Sequence, residues 1–141
     1  MARILCIDYG RRRCGIAVTD PLQISATPLT TVSSGDVLQF TLDYVAREGV
    51  GRVIVGKPTT LRGEPSESWR YIEPFVRALS KRLPPEVPVT LYDERFTSSL
   101  AHQAMLDGGL RQQARRDKAL VDRTAATIIL TDYLESIYNN R

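Results

Sequence analysis

A short apolar run near the start of the chain ends in a carboxylate, and this feature constrains the fold most strongly. Ile4–Ile7 has the character of a buried strand, and Asp8 follows it directly. Burying an ionised group is costly unless the group is paired or holds a cation. A basic turn, Arg11–Arg13, then leads into a second predicted strand, Gly15–Thr19. An acid at a strand end beside a glycine-edged basic turn suits a metal ion and a phosphate.

The rest of the chain alternates between strand and helix patterns. Further strands are predicted at Ala26–Val32, Arg52–Gly56 and Val87–Tyr92, and helices at Asp36–Glu48, Ser66–Leu83, about Thr97–Asp107 and about Asp117–Tyr138. Pro28 favours an edge strand, Gly49 ends the first helix, and Pro74 is expected to kink the second helix or mark its late start. A hairpin meander followed by β-α-β units predicts an α/β fold with a mixed sheet, antiparallel first and then parallel, with helices on both faces.

Length and composition limit the class of protein. A chain of 141 residues fits a single domain over 1–141. No apolar stretch approaches the roughly 20 residues of a membrane span, and no signal-peptide pattern is present, so we expect a cytoplasmic protein. Cys6 and Cys14 lack metal-ligand spacing and are interpreted as reduced structural residues.

Positive charge is slight in total and clustered in position. The formal net charge is +3, which only weakly favours a polyanionic partner. Besides Arg11–Arg13, a second cluster contains Arg111, Arg115, Arg116 and Lys118. Solvated surface would explain either cluster, but both lie in turn-like segments beside carboxylates, which favours phosphate binding.

Three carboxylates form the candidate metal site. Asp8 ends the first strand, Glu94 follows the fifth, and Asp122 lies in the last helix. If the first and fifth strands are neighbours, Asp8 and Glu94 converge, and a helix crossing that edge could add Asp122. Three hard oxygen donors suit Mg²⁺ or Mn²⁺, and two such ions about 3.5–4 Å apart are a standard means of activating water in phosphodiester cleavage.

Each acid also has a structural interpretation. The alternatives are a turn cap for Asp8, an ion pair with Arg95 for Glu94, and a helix-surface pair with Lys118 for Asp122. Asp20 and Asp93 are rival acids at strand ends. His102 has no acid or nucleophile pattern near it, and the chain has neither a nucleophile elbow nor a Walker loop.

Four motifs, spaced in order along nearly the whole chain, resemble the YqgF/RuvX family. They are Ile7-Asp8-Tyr9-Gly10 with Arg13, Gly15, Ala17-Val18 and Asp20; Val55-Gly56-Lys57-Pro58 with Gly63; Asp93-Glu94-Arg95 with Thr97; and Asp122 with Ala125-Ala126. Each motif alone is weak, whereas the four together are specific. Arg11, Cys14, Pro74 and the Thr59–Gly63 loop depart from the family pattern, and none of these departures affects an acid.

The resemblance implies an RNase H-like fold, a five-stranded mixed sheet flanked by helices. It implies a Mg²⁺- or Mn²⁺-dependent nuclease with Asp8, Glu94 and Asp122 as catalytic acids. Arg13 and Arg95 correspond to arginines of the family. The family is associated with trimming the 5′ end of pre-16S ribosomal RNA and with resolving Holliday junctions.

These observations favour a nuclease that acts on structured nucleic acid, either precursor rRNA, in association with ribosomal particles, or branched DNA. Arg13, Lys57, Arg95 and the Arg111–Lys118 segment would hold backbone phosphates. The sequence leaves the choice between monomer and homodimer open. Two other interpretations remain: an ATPase of the actin and sugar-kinase type, which a chain of this length argues against, and a non-catalytic nucleic-acid-binding module, which the three acids argue against.

Overall fold

The described residues form a five-stranded mixed sheet with helices on both faces. The computed structural model describes residues 2–58, 67–93 and 118–139, with the side chains of the last segment described from 125 to 138. The elements in chain order are β1 (Arg3–Asp8), β2 (Arg13–Thr19), β3 (Ala26–Ser33), α1 (Val37–Glu48), β4 (Val50–Lys57), α2 (Trp69–Arg82), β5 (Val89–Asp93) and α3 (Lys118–Asn139). The predicted helix at Thr97–Asp107 lies outside the described residues.

The strand order is β3-β2-β1-β4-β5. β1 pairs antiparallel with β2 and β2 antiparallel with β3, whereas β1 pairs parallel with β4 and β4 parallel with β5. The predicted mixed sheet, antiparallel first and then parallel, is therefore confirmed. The first and fifth strands are not neighbours, because β4 lies between them. Two strand spacings, about 10 Å, separate β1 from β5.

β1 is apolar throughout because both of its faces are covered. Leu5 and Ile7 are fully buried in the core under α1 and α2, and Ile4 and Cys6 are buried in the core under α3. A strand covered on both faces loses the apolar-polar alternation of a half-exposed strand. Each fully buried aliphatic side chain contributes about 1.5–3 kcal/mol, so this strand anchors both layers.

β3 is the edge strand that Pro28 predicted. Pro28 pairs with Ala17, and the register shifts between Ile16 and Ala17. Proline donates no backbone hydrogen bond, so a sheet tolerates it at an edge or at a bulge. The side chains of β3 are half-buried or exposed, in contrast to those of β1 and β2.

The helices follow the predicted boundaries closely. α1 ends at Gly49, whose left-handed backbone (φ 70°, ψ 50°) is the predicted stop. α2 begins at Trp69, three residues later than predicted, and continues through Pro74. α3 buries Ala126, Ile129, Leu130 and Leu134 against the sheet. Within the described ranges, no helix is long and apolar enough to cross a membrane.

β5 begins two residues later than predicted. The backbone N–H of Val87 donates to the Pro84 carbonyl, which closes a turn, and Pro88 accepts a hydrogen bond from the Val53 N–H. Val87 therefore belongs to the turn that enters the strand. Its side chain is nonetheless buried in the core beneath α1 and α2, which explains the apolar pattern.

Candidate functional site

Asp8 lies at the carboxyl edge of the parallel strands. It is the last residue of β1, and its partner in β2 is Gly15. Side chains alternate between the two faces of a strand, so Asp8 shares a face with Ile4 and Cys6, which pack under α3. The side chain is half-buried. Ligand sites of open α/β sheets gather at this edge, which supports the predicted role of Asp8.

Lys57 and Asp93 end the other two parallel strands and are partners in the register of β4 and β5. Alternation places both on the face opposite to Asp8, together with Val55 and Val89, which pack in the α2-side core. Asp93 therefore shares the edge but not the face of Asp8. Glu94, the next residue along the chain, lies outside the described residues.

Asp20, the other rival acid, lies at the opposite edge of the sheet. β2 runs antiparallel to β1, so its last residues are far from Asp8. The Asp20 carboxylate accepts hydrogen bonds from the backbone N–H groups of Leu22, Ile24 and Ser25 at 3.1, 2.9 and 2.9 Å. The bond from Ser25 contributes most to holding the pKa of Asp20 below its ordinary value. Asp20 is therefore a turn cap.

The basic turn between β1 and β2 is built closely against a neighbouring loop. A Cβ atom at Gly10 would lie 2.4 Å from the Arg13 carbonyl oxygen, so the turn requires glycine there. The Ser34 hydroxyl donates to the Arg11 carbonyl at 2.7 Å, and the Ser34 N–H donates to the Arg12 carbonyl at 2.9 Å. These bonds fix the backbone that carries the arginines next to Asp8. Arg11 and Arg12 are exposed, and Arg13 is half-buried.

Two aromatic residues at the start of α2, Trp69 and Tyr71, contact cations at this edge of the sheet. The sequence analysis assigned neither of them a role in the site. The Lys57 Nζ atom lies 5.2 Å from the centre of the Trp69 ring. The Arg11 Cζ atom lies 4.6 Å from the centre of the Tyr71 ring. A sequence signal for these long-range pairs is absent, because they depend on how α2 docks on the sheet.

α3 crosses the face of the sheet that carries Asp8. At its C-terminal end, the Tyr138 hydroxyl donates to the Gln23 carbonyl, and Gln23 Nε2 donates to the Ala2 carbonyl at 2.8 Å. Gln23 and Ala2 lie at the edge of the sheet opposite to Asp8. The helix α3 therefore runs from the Asp8 edge toward the opposite edge. From Asp122 to Tyr138 the helix advances 16 positions, about 24 Å, and the six residues of β1 span about 20 Å. The helix therefore brings the backbone at Asp122 toward the Asp8 edge.

The described side chains include one of the three predicted catalytic acids, Asp8. Asp122 and Lys118 lie in α3 where only the backbone is described. Outside the described residues lie Glu94, Arg95, His102, Arg111, Arg115 and Arg116. Across residues 2–58, 67–93 and 125–138, no three acidic, cysteine or histidine side chains converge on a metal position. The assignment of Asp8, Glu94 and Asp122 as metal ligands stays a prediction.

The donor chemistry fits a hard divalent cation. Asp8 supplies carboxylate oxygens at the edge, whereas Cys6 and Cys14 are reduced thiols buried in the two cores. Mg²⁺ and Mn²⁺ prefer oxygen ligands to sulfur. The predicted structural role of the cysteines agrees with their burial.

Tyr92 links β5 to α3 on the Asp8 face, and this link makes stability depend on pH. Its hydroxyl donates to the Asp132 carboxylate, and its ring meets Tyr133 edge-on at 6.0 Å between centres. Burial, followed by the Asp132 carboxylate, raises the pKa of Tyr92 to about 12. Above its unfolded pKa of about 10 the unfolded chain loses this proton and the folded chain keeps it, so stability falls as the pH rises from about 10 to 12.

Replacing Tyr92 with phenylalanine should lower the free energy of unfolding at pH 7 by about 1 kcal/mol, because one hydrogen bond to a carboxylate is lost. Urea unfolding between pH 7 and 11 measures both effects. Above pH 10, the variant should lose less stability than the wild type does. A variant that loses stability above pH 10 as steeply as the wild type would assign that loss to other groups.

Comparisons with known proteins agree with this architecture. A family model described as "RuvX: Holliday junction resolvase" matches residues 2–136. A protein from Phocaeicola vulgatus named "Putative pre-16S rRNA nuclease" is 57% identical over 136 residues, which cover 96% of this chain and 97% of that protein. A protein of the same name from Bacteroides thetaiotaomicron is 56% identical over 136 residues, covering 96% and 98%.

A solved structure extends the likeness to the fold. RuvC of T. thermophilus, determined in complex with a Holliday junction substrate, superposes with a TM-score of 0.59 at 19% identity and covers 99% of this chain and 97% of that chain. At this identity the likeness concerns the fold alone. The RNase H-like fold implied by the sequence resemblance is confirmed.

Proposed function

The chain belongs to the RuvX family, and from that premise we propose that it is a divalent-metal-dependent nuclease that hydrolyses phosphodiester bonds in structured nucleic acid. The name shared by relatives 57% and 56% identical supports nuclease activity and favours precursor 16S rRNA as the substrate. The observation that carries the proposal is the position of Asp8 at the carboxyl edge of the parallel strands, beside a fixed basic turn. This substrate would place the protein in the cytoplasm, at ribosomal particles under assembly.

Each residue of the site has a role in this proposal. Asp8, with Glu94 and Asp122 as the predicted further ligands, would hold Mg²⁺ or Mn²⁺. When bound, two such ions activate water and neutralise charge on the leaving oxygen. Arg13 and Lys57, joined by Arg95 and the cations of the Arg111–Lys118 segment, would hold the backbone phosphates on either side of the scissile bond.

Backbone contacts of this kind explain a preference for shape. Lysine and arginine recognise phosphates irrespective of base identity, so the substrate would be selected by its geometry. Residues 1–141 would form one nuclease domain. A trimming enzyme needs one active site, whereas symmetric cleavage of a junction needs two in a homodimer.

Removal of divalent metal should abolish cleavage. Purified protein is incubated with Mg²⁺, with Mn²⁺ or with EDTA, and a radiolabelled RNA carrying the 5′ precursor segment of 16S rRNA is compared with a four-way DNA junction. We expect cleavage of the RNA with either metal and none with EDTA, restored when metal is added in excess. Cleavage that is unchanged in EDTA would contradict the proposed metal dependence.

The junction is the second candidate substrate, favoured by the description of the matching family model. Paired cuts at symmetric positions in the junction, with the RNA left intact, would assign the protein to DNA resolution instead. Failure to cut either substrate with either metal would contradict nuclease activity itself.

A further inference from the structure

Three cations and two aromatic rings form two separate cation–π groups at the first turn of α2, where the helix meets the carboxyl edge of the sheet. Lys57 lies over the Trp69 ring, and Arg11 and Arg70 lie over the Tyr71 ring, at 5.2, 4.6 and 5.1 Å from the ring centres. Arg70 also donates to the Tyr71 hydroxyl at 3.1 Å. We call these five residues the aromatic–cation platform.

The platform stands on a fixed base. The Tyr9 ring packs against Phe75, one helical turn beyond Tyr71, with 4.8 Å between the ring centres. Trp69 packs against the core beneath α1 and α2. These contacts hold the start of α2 against the turn that follows Asp8. The platform is therefore positioned by both β1 and β4, the strands that carry Asp8 and Lys57.

The cations of the platform form no salt bridge with the residues that the structure describes. Within the described part of the chain, the salt bridges join Arg47 to Glu48 and Arg77 to Glu73, and none involves Lys57, Arg11 or Arg70. Exposed cation–π contacts are individually weak, so a phosphate can draw a cation from its ring. Both rings are only half-buried. Positive charge beside a partly exposed aromatic face is the combination that binds single-stranded nucleic acid.

We propose that the aromatic–cation platform binds an unpaired nucleotide segment next to the scissile phosphate, with Lys57, Arg11 and Arg70 on the phosphates and both Trp69 and Tyr71 stacked on bases. This inference rests on the proposed nuclease function and names a feature of its substrate. A duplex hides the faces of its bases, so the platform selects a single-stranded flank. Because Asp8 lies on the opposite face of the sheet, a strand held by the platform passes over the carboxyl edge to reach it.

Trp69 reports on this binding directly, because it is the single tryptophan of the chain. Protein in EDTA is titrated with a six-nucleotide single-stranded RNA, with a blunt-ended duplex of the same length, and with inorganic phosphate, while tryptophan emission is recorded. The single strand should quench the emission to saturation at a concentration at least tenfold below any quenching by the duplex. Equal quenching by the duplex, or the same quenching by phosphate alone, overturns base stacking.

Variants separate the platform from a diffuse charge effect. Tyr71→Leu and Lys57→Gln should each weaken binding of the single strand about tenfold, equivalent to about 1.4 kcal/mol. Tyr71→Phe keeps the ring and should bind like the wild type, which distinguishes loss of the platform from a loss of folding. The matched control is Arg77→Gln, an exposed charge two turns further along α2, and it should leave affinity within twofold. If Arg77→Gln weakens binding of the single strand as much as the platform variants do, the assignment of binding to the platform is overturned.

A negative result in the binding assay and a negative result in the cleavage assay contradict different proposals. Wild-type protein that cleaves with Mg²⁺ but shows no quenching by the single strand overturns the platform and leaves the nuclease function standing. Wild-type protein that is quenched to saturation but cuts neither RNA nor junction supports the platform and overturns the nuclease function.

Discussion

Replacing Asp8 with asparagine is expected to slow cleavage by at least about a hundredfold while leaving the fold intact. Asparagine has the size of aspartate but lacks its charge, so it binds a divalent cation weakly. Metal ions supply several kcal/mol of transition-state stabilisation, and each 1.4 kcal/mol corresponds to about tenfold in rate. Asp8 ends a central strand at the carboxyl edge of the parallel strands, where the proposed function places the scissile phosphate.

The measurement is the initial rate of cleavage of the precursor RNA with Mn²⁺, with urea unfolding as a check on folding. Asp20→Asn is the matched control, since Asp20 also follows a strand but caps a turn at the opposite edge. Asparagine retains one oxygen, which can accept the hydrogen bonds from Ile24 and Ser25, and loses only the bond from Leu22. Because Asp20 lies far from Asp8, this variant should cleave like the wild type. If Asp8→Asn cuts as fast as the parent, the metal-site assignment is wrong.

Replacing Gly10 with alanine is expected to lower the free energy of unfolding by about 1–3 kcal/mol and to reduce cleavage as well. The new Cβ atom would lie 2.4 Å from the Arg13 carbonyl oxygen, too close for either atom. The contact is with backbone, so the turn itself must move. That movement displaces Asp8 and Arg13 together, and small displacements of reacting groups cost large factors in rate.

Gly35→Ala provides the comparison for this variant. Gly35 also lies in a turn, but a Cβ atom there would meet nothing within 4 Å. Its unfolding free energy should stay within about 0.5 kcal/mol of the wild type. If the two variants lose equal amounts of unfolding free energy, the destabilisation arises from reduced turn flexibility and not from the close approach at Gly10.

Local patterns predicted the elements, whereas long-range pairing decided their arrangement. The stop at Gly49 and the edge position marked by Pro28 follow from the conformations that glycine and proline favour, which a single residue reveals. The place of β4 between β1 and β5 depends on contacts between distant segments, such as Val55 with Ile7 and Leu91. Sequence alone left that neighbour relation open.

For the candidate site, as for the fold, local sequence identified single residues, whereas long-range contacts decided which of them come together. Asp8 is conspicuous because a carboxylate follows a buried run. Excluding Asp20 required the antiparallel direction of β2, which places the two acids at opposite edges. The contact of Arg11 with Tyr71 joins residues 60 positions apart and arises only when α2 docks.

The proline and the register shift of β3 limit the ways in which two copies of the chain could associate. They interrupt the row of backbone donors and acceptors that a further strand would need. Edge-to-edge joining of two sheets through β3 is therefore disfavoured. A homodimer that cuts both strands of a junction would have to form through helices or through the other side of the molecule, which would fix the spacing between its two active sites.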